Sequence, residues 1–311
     1  MTRYGIHHVT AIAGAARRNL DFYTGTLGLR LVKKTVNFDD PGTYHFYYGD
    51  ETGTPGTILT FFPWDDAASG RLGVGEIQEA VFRVPDGAIG YWTHRLVAHG
   101  VAHEAPQRRF GETVLALRDP DGMRLALVAT PRAGEEPAWS DGTVPAQYAV
   151  RGFHGVSLLL AEAAPTGAIL TDVLGFAETG REGDVVRFQA AGAEIGGIVD
   201  VRIAGDFPRG HLGRGSVHHI AFRAADDAAQ AEMVRKLADS HGIATTEQKD
   251  RKYFRSVYFR EPGHVLFEIA TDIPGFATDE PVASLGQSLH LPRFLEPRRK
   301  EIEAVLPSTS S

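Results

Sequence analysis

The chain reads as an α+β protein of four βαβββ modules that pair into two curved-sheet barrels. Three observations carry this reading. First, 21 residues separate His7 from Gly28 of the Leu27-Gly28 turn, and 21 separate His154 from Gly175 of Leu174-Gly175, so the third unit copies the first. Second, five residues separate Gly122 from Leu127 and five separate Gly263 from Glu268, so the fourth unit copies the second, with Leu127 standing where Glu268 stands. Third, one βαβββ unit leaves a face of its curved sheet unburied, so units of this kind pair, and four make two pairs.

The first unit opens with a strand at 5–12, apolar and β-branched around its histidines. A helix follows over 15–27, where Leu20, Tyr23 and Leu27 share one face. Strands are predicted at 29–38, 43–49 and 57–63. The second unit has a strand at 77–84, a helix at 87–99, and a hairpin at Asp119-Pro120-Asp121-Gly122 that joins strands 113–117 and 124–130. A linker with Pro and Gly, and with Trp139, runs over 131–150. The third unit opens with Gly152-Phe153-His154-Gly155-Val156-Ser157. The fourth has the strand Val217-His218-His219-Ile220-Ala221-Phe222, a helix over 226–241 and a hairpin turning at Glu261-Pro262-Gly263-His264. The expected domains are an N-terminal one at 1–135 with modules one and two and a C-terminal one at 150–275 with modules three and four, followed by a tail at 276–311 with a helix near 296–305 and a frayed, Ser-rich end.

Composition excludes several classes. Hydrophobic residues are 43% and charged residues 23% of 311, ordinary for a globular chain. The net charge of −7 argues against a nucleic-acid surface. With no cysteine there are no disulfides, thiolate ligands or Cys nucleophile, which suits a reducing cytoplasm. No apolar run approaches the roughly 20 residues that span a bilayer, and no signal peptide is read before the first strand, so a cytoplasmic protein is expected. The chain carries no P-loop, nucleophile elbow or His-Glu-x-x-His metal motif.

The chemistry concentrates in three strands. Two of them open with a His-His pair, His7-His8 and His218-His219, among only 13 histidines. A third, Val265-Leu266-Phe267-Glu268-Ile269-Ala270, carries one carboxylate among apolar neighbours. A buried carboxylate needs a partner. Two imidazoles and one carboxylate suit a divalent metal with open positions. Side chains alternate along a strand, so one His of each pair enters a given cavity. Thr10 shares the face of His8, and Ala221 stands as a small neighbour beside His219. A salt bridge from Glu268 to Arg251 or Arg255 is the plainer alternative. Tyr258, in the strand before Glu268, is a candidate hydrogen-bond donor, and Phe254 and Phe267 are candidates to flank a ring.

The ordered set His7-His8-Val9-Thr10, Gly53-Thr54-Pro55-Gly56-Thr57, Arg151-Gly152-Phe153-His154, His218-His219, Asp250-Arg251-Lys252, Phe267-Glu268 and Ser284-Leu285-Gly286 resembles the vicinal oxygen chelate (glyoxalase/extradiol dioxygenase) superfamily over essentially the whole chain. Within it the chain is similar to the hydroquinone-type ring-cleaving dioxygenases. The resemblance implies the vicinal oxygen chelate fold and an iron site made by the second His of each pair and the Glu of the last strand, here His8, His219 and Glu268. It implies Fe(II), with Mn(II) as the alternative, and a small aromatic substrate with O2. His7, His218 and Tyr258 are then the candidate catalytic residues, and Thr10 and Arg251 the candidate substrate-binding residues. A homo-oligomer is left open, and no membrane partner is expected.

If these three ligands share one ion, module one must pair with module four, and two with three, across the 131–150 linker. Two other functions fit the same fold. A glyoxalase-like isomerase or lyase on Ni²⁺ or Zn²⁺ would want a fourth ligand, which Thr57-Ile58-Leu59-Thr60-Phe61-Phe62 does not supply. A metal-free small-molecule-binding module would not need the ligand set.

Overall fold

The computed structural model describes residues 4–309, so Ser310 and Ser311 of the Ser-rich end lie outside the described residues. Module one comprises β1 (Ile6–Ala13), α1 (Ala16–Leu20), β2 (Arg30–Val36), β3 (Tyr44–Gly49) and β4 (Ile58–Pro63). Module two comprises β5 (Glu76–Pro85), α2 (Ile89–Ala98), β6 (Gln107–Arg109), β7 (Glu112–Arg118) and β8 (Arg124–Thr130). Module three comprises β9 (Phe153–Leu160), α3 (Ala164–Asp172), β10 (Phe176–Glu182), β11 (Val185–Ala190) and β12 (Ile198–Ile203). Module four comprises β13 (Val217–Ala224), α4 (Asp227–His241), β14 (Lys249–Asp250), β15 (Arg255–Arg260) and β16 (Leu266–Thr271), and a tail helix α5 covers Arg299–Val305.

The helix expected over 15–27 changes register at its middle. After α1, Asp21–Thr26 is a π-helix, in which the Leu27 N–H reaches the Phe22 carbonyl five residues back. The wider turn buries Phe22, Tyr23 and Thr26, and Tyr23 packs on Tyr48 and Phe61.

The strands form two eight-stranded sheets, ordered β14-β15-β16-β13-β1-β4-β3-β2 and β10-β11-β12-β9-β5-β8-β7-β6. Module one therefore pairs with four and module two with three, as the ligand argument required. Each pair is joined by an antiparallel seam at its centre, β1 on β13 and β5 on β9. Both seams carry two β-bulges. In the first sheet the register slips between Ile6 and His8 and between Thr10 and Ala11, which leaves His7 and His218 as the extra residues. The same slips in the second sheet fall at Gln78 and His154.

The register corrects one expectation. Ala221 pairs with Glu268 in the first sheet, and its counterpart Val81 pairs with Ala126 in the second. Ala126, not Leu127, stands where Glu268 stands, and Leu127 points into the core. The cause lies in the hairpin turns. The left-handed position is Gly122 (φ 88) in one hairpin and His264 (φ 75) in the other, so matching glycine to glycine slips the comparison by one residue. The two turns share their chemistry: Asp119 accepts from the N–H groups of Asp121 and Met123, and Glu261 from those of Gly263 and Val265.

The tail wraps module one. Lys33, fully buried, pairs with Asp279 and Glu280. Gly286 adopts φ +76 against the Leu31 carbonyl, where a Cβ would overlap. Leu291, Leu295 and Ile302 pack with Val36. No described helix is long and apolar enough to cross a membrane.

Candidate metal centre and cavity

Two cross-strand rows on one face of the first sheet build the site. One row runs Tyr258, Glu268, Ala221, His8 and Ile58 across β15, β16, β13, β1 and β4. The next runs His219, Thr10, Thr60 and Tyr47. Directly opposed residues share a face, so the concave side of the curved sheet gathers all of them. Ala221 has no bulk to separate His8 from Glu268. Of the two rows, His8, Thr10, Tyr47, His219 and Tyr258 line a cavity of about 380 Å³, together with Phe38, His45, Phe62, Trp64, Arg251 and Phe254.

His8, His219 and Glu268 present ligand atoms within 4.8 Å of one another, and all three are buried. The Oε2 of Glu268 lies 3.3 Å from His8 Nε2 and 3.0 Å from His219 Nε2, yet makes no aligned hydrogen bond. Its other oxygen accepts from the Ser256 hydroxyl at 2.5 Å. Burial pushes the Glu268 carboxyl up, but the two imidazoles outweigh it and hold the group well below the usual carboxylate range. Burial likewise lowers His219, partly offset by Glu268. An ionised carboxylate oxygen facing two ring nitrogens, all three out of water, is the donor set that a divalent cation completes. The residues fit the metal.

The bulged histidines complete the arrangement. His7 Nδ1 lies 2.9 Å from His8 Nδ1, and His218 Nδ1 lies 2.7 Å from His219 Nδ1. A ligand imidazole that uses Nε2 carries its proton on Nδ1, so each ligand donates to the histidine before it. His7 accepts at Nδ1. It is buried behind His8 and is not a cavity-lining residue. His218, by contrast, does line the cavity, because its bulge turns it toward the mouth. Burial, then His219, pull His218 down to about 3, so it is neutral at pH 7.

Arg251 and Tyr258 meet at the mouth. Arg251 Nε donates to the Tyr258 hydroxyl at 3.3 Å, and its terminal nitrogens reach Asp39 at 3.2 Å. Burial, then Glu268, push the Tyr258 phenol up. Burial disfavours the Arg251 cation, but Tyr258 and Asp39 more than restore it. Arg251 is thus a wall of the cavity. The salt bridge considered for Glu268 is not formed: Arg251 pairs with Asp39, and Arg255 with Asp227. Phe254 packs 4.9 Å from the His8 ring, while Phe267 faces away into the core and cannot flank a ligand.

Sequence reading did not single out His45, Tyr47, Thr60, Phe62, Trp64 or Ser256. Thr60 and Phe62 were open to the alternation rule: two residues apart on an inner strand, one is polar. His45 sits alone among Tyr44, Phe46, Tyr47 and Tyr48, with no local mark of its facing. The second sheet has no such trio at the matching places, which hold Gly155, Glu79 and Ala126. There Glu79 pairs with Arg109, and Arg187 with Glu112 and Asp200.

Removing bound divalent metal with EDTA should lower the thermal midpoint by roughly 4 °C, as expected for a ligand present at about a hundred times its dissociation constant. A midpoint unmoved by chelation, with metal loss verified by elemental analysis, would show that the trio holds no ion.

Comparison with known proteins agrees with this geometry. Residues 5–127 match the model of the Glyoxalase/Bleomycin resistance protein/Dioxygenase superfamily. MhqO of Bacillus subtilis, named a ring-cleaving dioxygenase, is 47% identical over 96% of this chain and 94% of its own. The chlorohydroquinone/hydroquinone 1,2-dioxygenase of Sphingobium indicum is 34% identical over 96% of this chain and 94% of its own. The crystal structure of a B. subtilis protein described as a dioxygenase superposes with a TM-score of 0.94 at 46% identity, covering 99% of this chain and 97% of that one. A fold, a ligand-ready centre and relatives along the full length agree: the chain belongs to the glyoxalase/bleomycin resistance protein/dioxygenase superfamily and, within it, to the ring-cleaving dioxygenases, which are oxidoreductases.

Proposed function

We propose that this enzyme opens a hydroquinone-like ring, with or without ring substituents, using O2 and Fe(II) held by His8, His219 and Glu268. The observation that carries the reading is a three-ligand centre with no fourth carboxylate among the described residues, on the floor of an aromatic-walled cavity of about 380 Å³. The residue of β4 beside His8 is Ile58, which cannot ligate. That supports a centre open to two exogenous oxygens over a closed, isomerase-like one. The name of the 34%-identical relative supports the choice of hydroquinones.

Bound iron would supply a Lewis acid and a route for electron density from an electron-rich ring to dioxygen, whose triplet state otherwise reacts slowly with closed-shell aromatics. The chain's own groups do the rest. Arg251 keeps a guanidinium at the mouth, which favours a phenolate oxygen. Tyr258 keeps its proton and offers a hydroxyl beside Glu268. His218, proton on Nε2, faces the cavity as a neutral donor. His7 touches no substrate; it holds the His8 ring and its Nδ1 proton in place. Thr10 donates a hydroxyl on the same floor. Phe254, Phe62 and Trp64 exclude water and present flat walls to a ring.

Iron-loaded protein should consume one equivalent of O2 per hydroquinone and yield a product with a new carboxylic acid or acyl group. Catechols should be poorer, since a para-hydroxylated ring is expected to bind through a single oxygen. Oxygen-electrode screening with mass spectrometry of the product checks this. No uptake with any hydroquinone or catechol, together with isomerisation of a thiol-adducted aldehyde, would replace the reading with the glyoxalase-like one.

A further inference from the structure

Four side chains on β3, β4 and β1 form one hydrogen-bonded line that ends in the cavity. The Tyr47 hydroxyl lies 2.9 Å from His45 Nδ1, and His45 Nε2 lies 2.9 Å from Thr60 Oγ1. The Thr60 hydroxyl donates to Thr10 Oγ1 at 2.9 Å. Register makes the line, because Thr60 opposes Thr10 on one side and Tyr47 on the other.

The direction of every bond follows. A hydroxyl has one proton to give. Thr60 gives its proton to Thr10, so Thr60 must accept from His45, whose proton then sits on Nε2. His45 Nδ1 is left as an acceptor and takes the Tyr47 O–H. Thr10 is engaged as an acceptor, and among the described residues its own hydroxyl donates to no protein group. It is fully buried and lines the cavity, so its proton is free for a ligand. Burial and the neighbouring His8 keep His45 well below its ordinary value, hence neutral. Burial keeps the Tyr47 phenol protonated. The His45 ring is clamped between Tyr47, 4.1 Å away, and Phe62, 4.3 Å away. It cannot readily turn over and reverse the order.

We propose that His45 is a positioning residue: with Tyr47 and Thr60 it orders the Thr10 hydroxyl as a one-way donor into the cavity, and so selects ligands that present an anionic oxygen beside His8 and His219. Hydrogen bonds in line polarise one another, and a bond to an anion is stronger than one to a neutral acceptor. The inference rests on reading the cavity as the site of a phenolic substrate.

The test uses iron(II)-loaded protein under argon and 4-nitrophenol, whose phenolate is visible by absorbance. Thr60→Val removes the donor to Thr10 at nearly constant volume and should weaken 4-nitrophenolate binding several-fold, because the Thr10 hydroxyl stays but loses its ordering and part of its polarisation. Thr60→Ser keeps the donor and should bind within about twofold of the parent. His45→Phe and Tyr47→Phe should weaken binding in the same direction. His45→Gln, which can accept at Oε1 and donate from Nε2, should recover part of the loss. Nitrobenzene, which has no anionic oxygen, should bind the parent and Thr60→Val alike, with metal content unchanged. Should His45→Phe fail to fold, Thr60→Val against Thr60→Ser decides. Equal 4-nitrophenolate binding by Thr60→Val and the parent, or equal weakening of both probes, overturns the proposal. A parent that takes up no oxygen, but loses 4-nitrophenolate on Thr60→Val, would defeat the dioxygenase reading and leave the ordering intact. Oxygen uptake with binding indifferent to Thr60→Val would do the reverse.

Discussion

Glu268→Gln should give a folded protein that holds almost no iron and opens no ring. The side chain is fully buried, and its Oε2 faces both ligand histidines without an aligned hydrogen bond. An amide of the same shape keeps the packing and can still accept from Ser256. An amide is cheaper to bury than an ion, so the variant should stay folded, although it gives up the attraction of the two imidazoles that holds the Glu268 carboxyl low. What it lacks is the negative charge that offsets a dication. Residues one shell further out typically cost about 10–100-fold when removed, so loss of a ligand should exceed about 100-fold in iron affinity, with oxygen uptake falling in step. Elemental analysis after dialysis, beside far-UV circular dichroism, checks this. Full iron occupancy in the variant would remove Glu268 from the centre.

Lys33→Met should be the most damaging change away from the centre. Lys33 has no exposed surface, and its ammonium pairs with Asp279, at 2.7 Å, and with Glu280. The same cluster includes Lys252 and His290. Without Lys33, Asp279 keeps Lys252 but the buried Glu280 is left with His290 alone, so the cost should approach that of a broken buried pair, about 3–5 kcal/mol. The thermal midpoint should fall by roughly 5–8 °C. Adding Glu280→Gln should restore part of the loss, because the stranded charge goes with it. Burial pushes the Asp279 carboxyl up, and the bonds from Lys252 and Lys33 outweigh it, so the group titrates below its ordinary 3.8. Its depressed value adds stability that is complete above that pH and is lost as the pH falls below it. The gap between parent and variant should therefore narrow in acid. Hydrogen exchange should quicken over 276–305, the segment that Lys33 ties down. Phe294 of that segment touches Phe38, a cavity wall, so the Michaelis constant should rise more than iron affinity falls.

Much of this was legible in the sequence. A repeat with fixed intervals announces paired modules, and two His-His strands with one carboxylate strand announce a metal. If one ion takes all three ligands, modules one and four must share a sheet, and they do. These are statements about residue type and short spacing, which strand geometry makes binding. Other features needed the register of strands far apart in the chain. Alternation by itself would send His7 and His218 the same way. The bulges on opposite strands of the seam instead hide His7 behind His8 and bring His218 to the mouth. A left-handed His264 in place of a glycine displaced the second module's counterpart of Glu268 by one residue. His45 carries no local sign of its facing, because only the pairing of β3 with β4 sets it beside Thr60. The sequence by itself determined which chemical groups this enzyme owns and the period at which its strands turn them. The tertiary structure decided which groups meet, because a single inserted residue in a ladder reverses facing, and whether a ladder takes that residue depends on a partner strand some two hundred residues away.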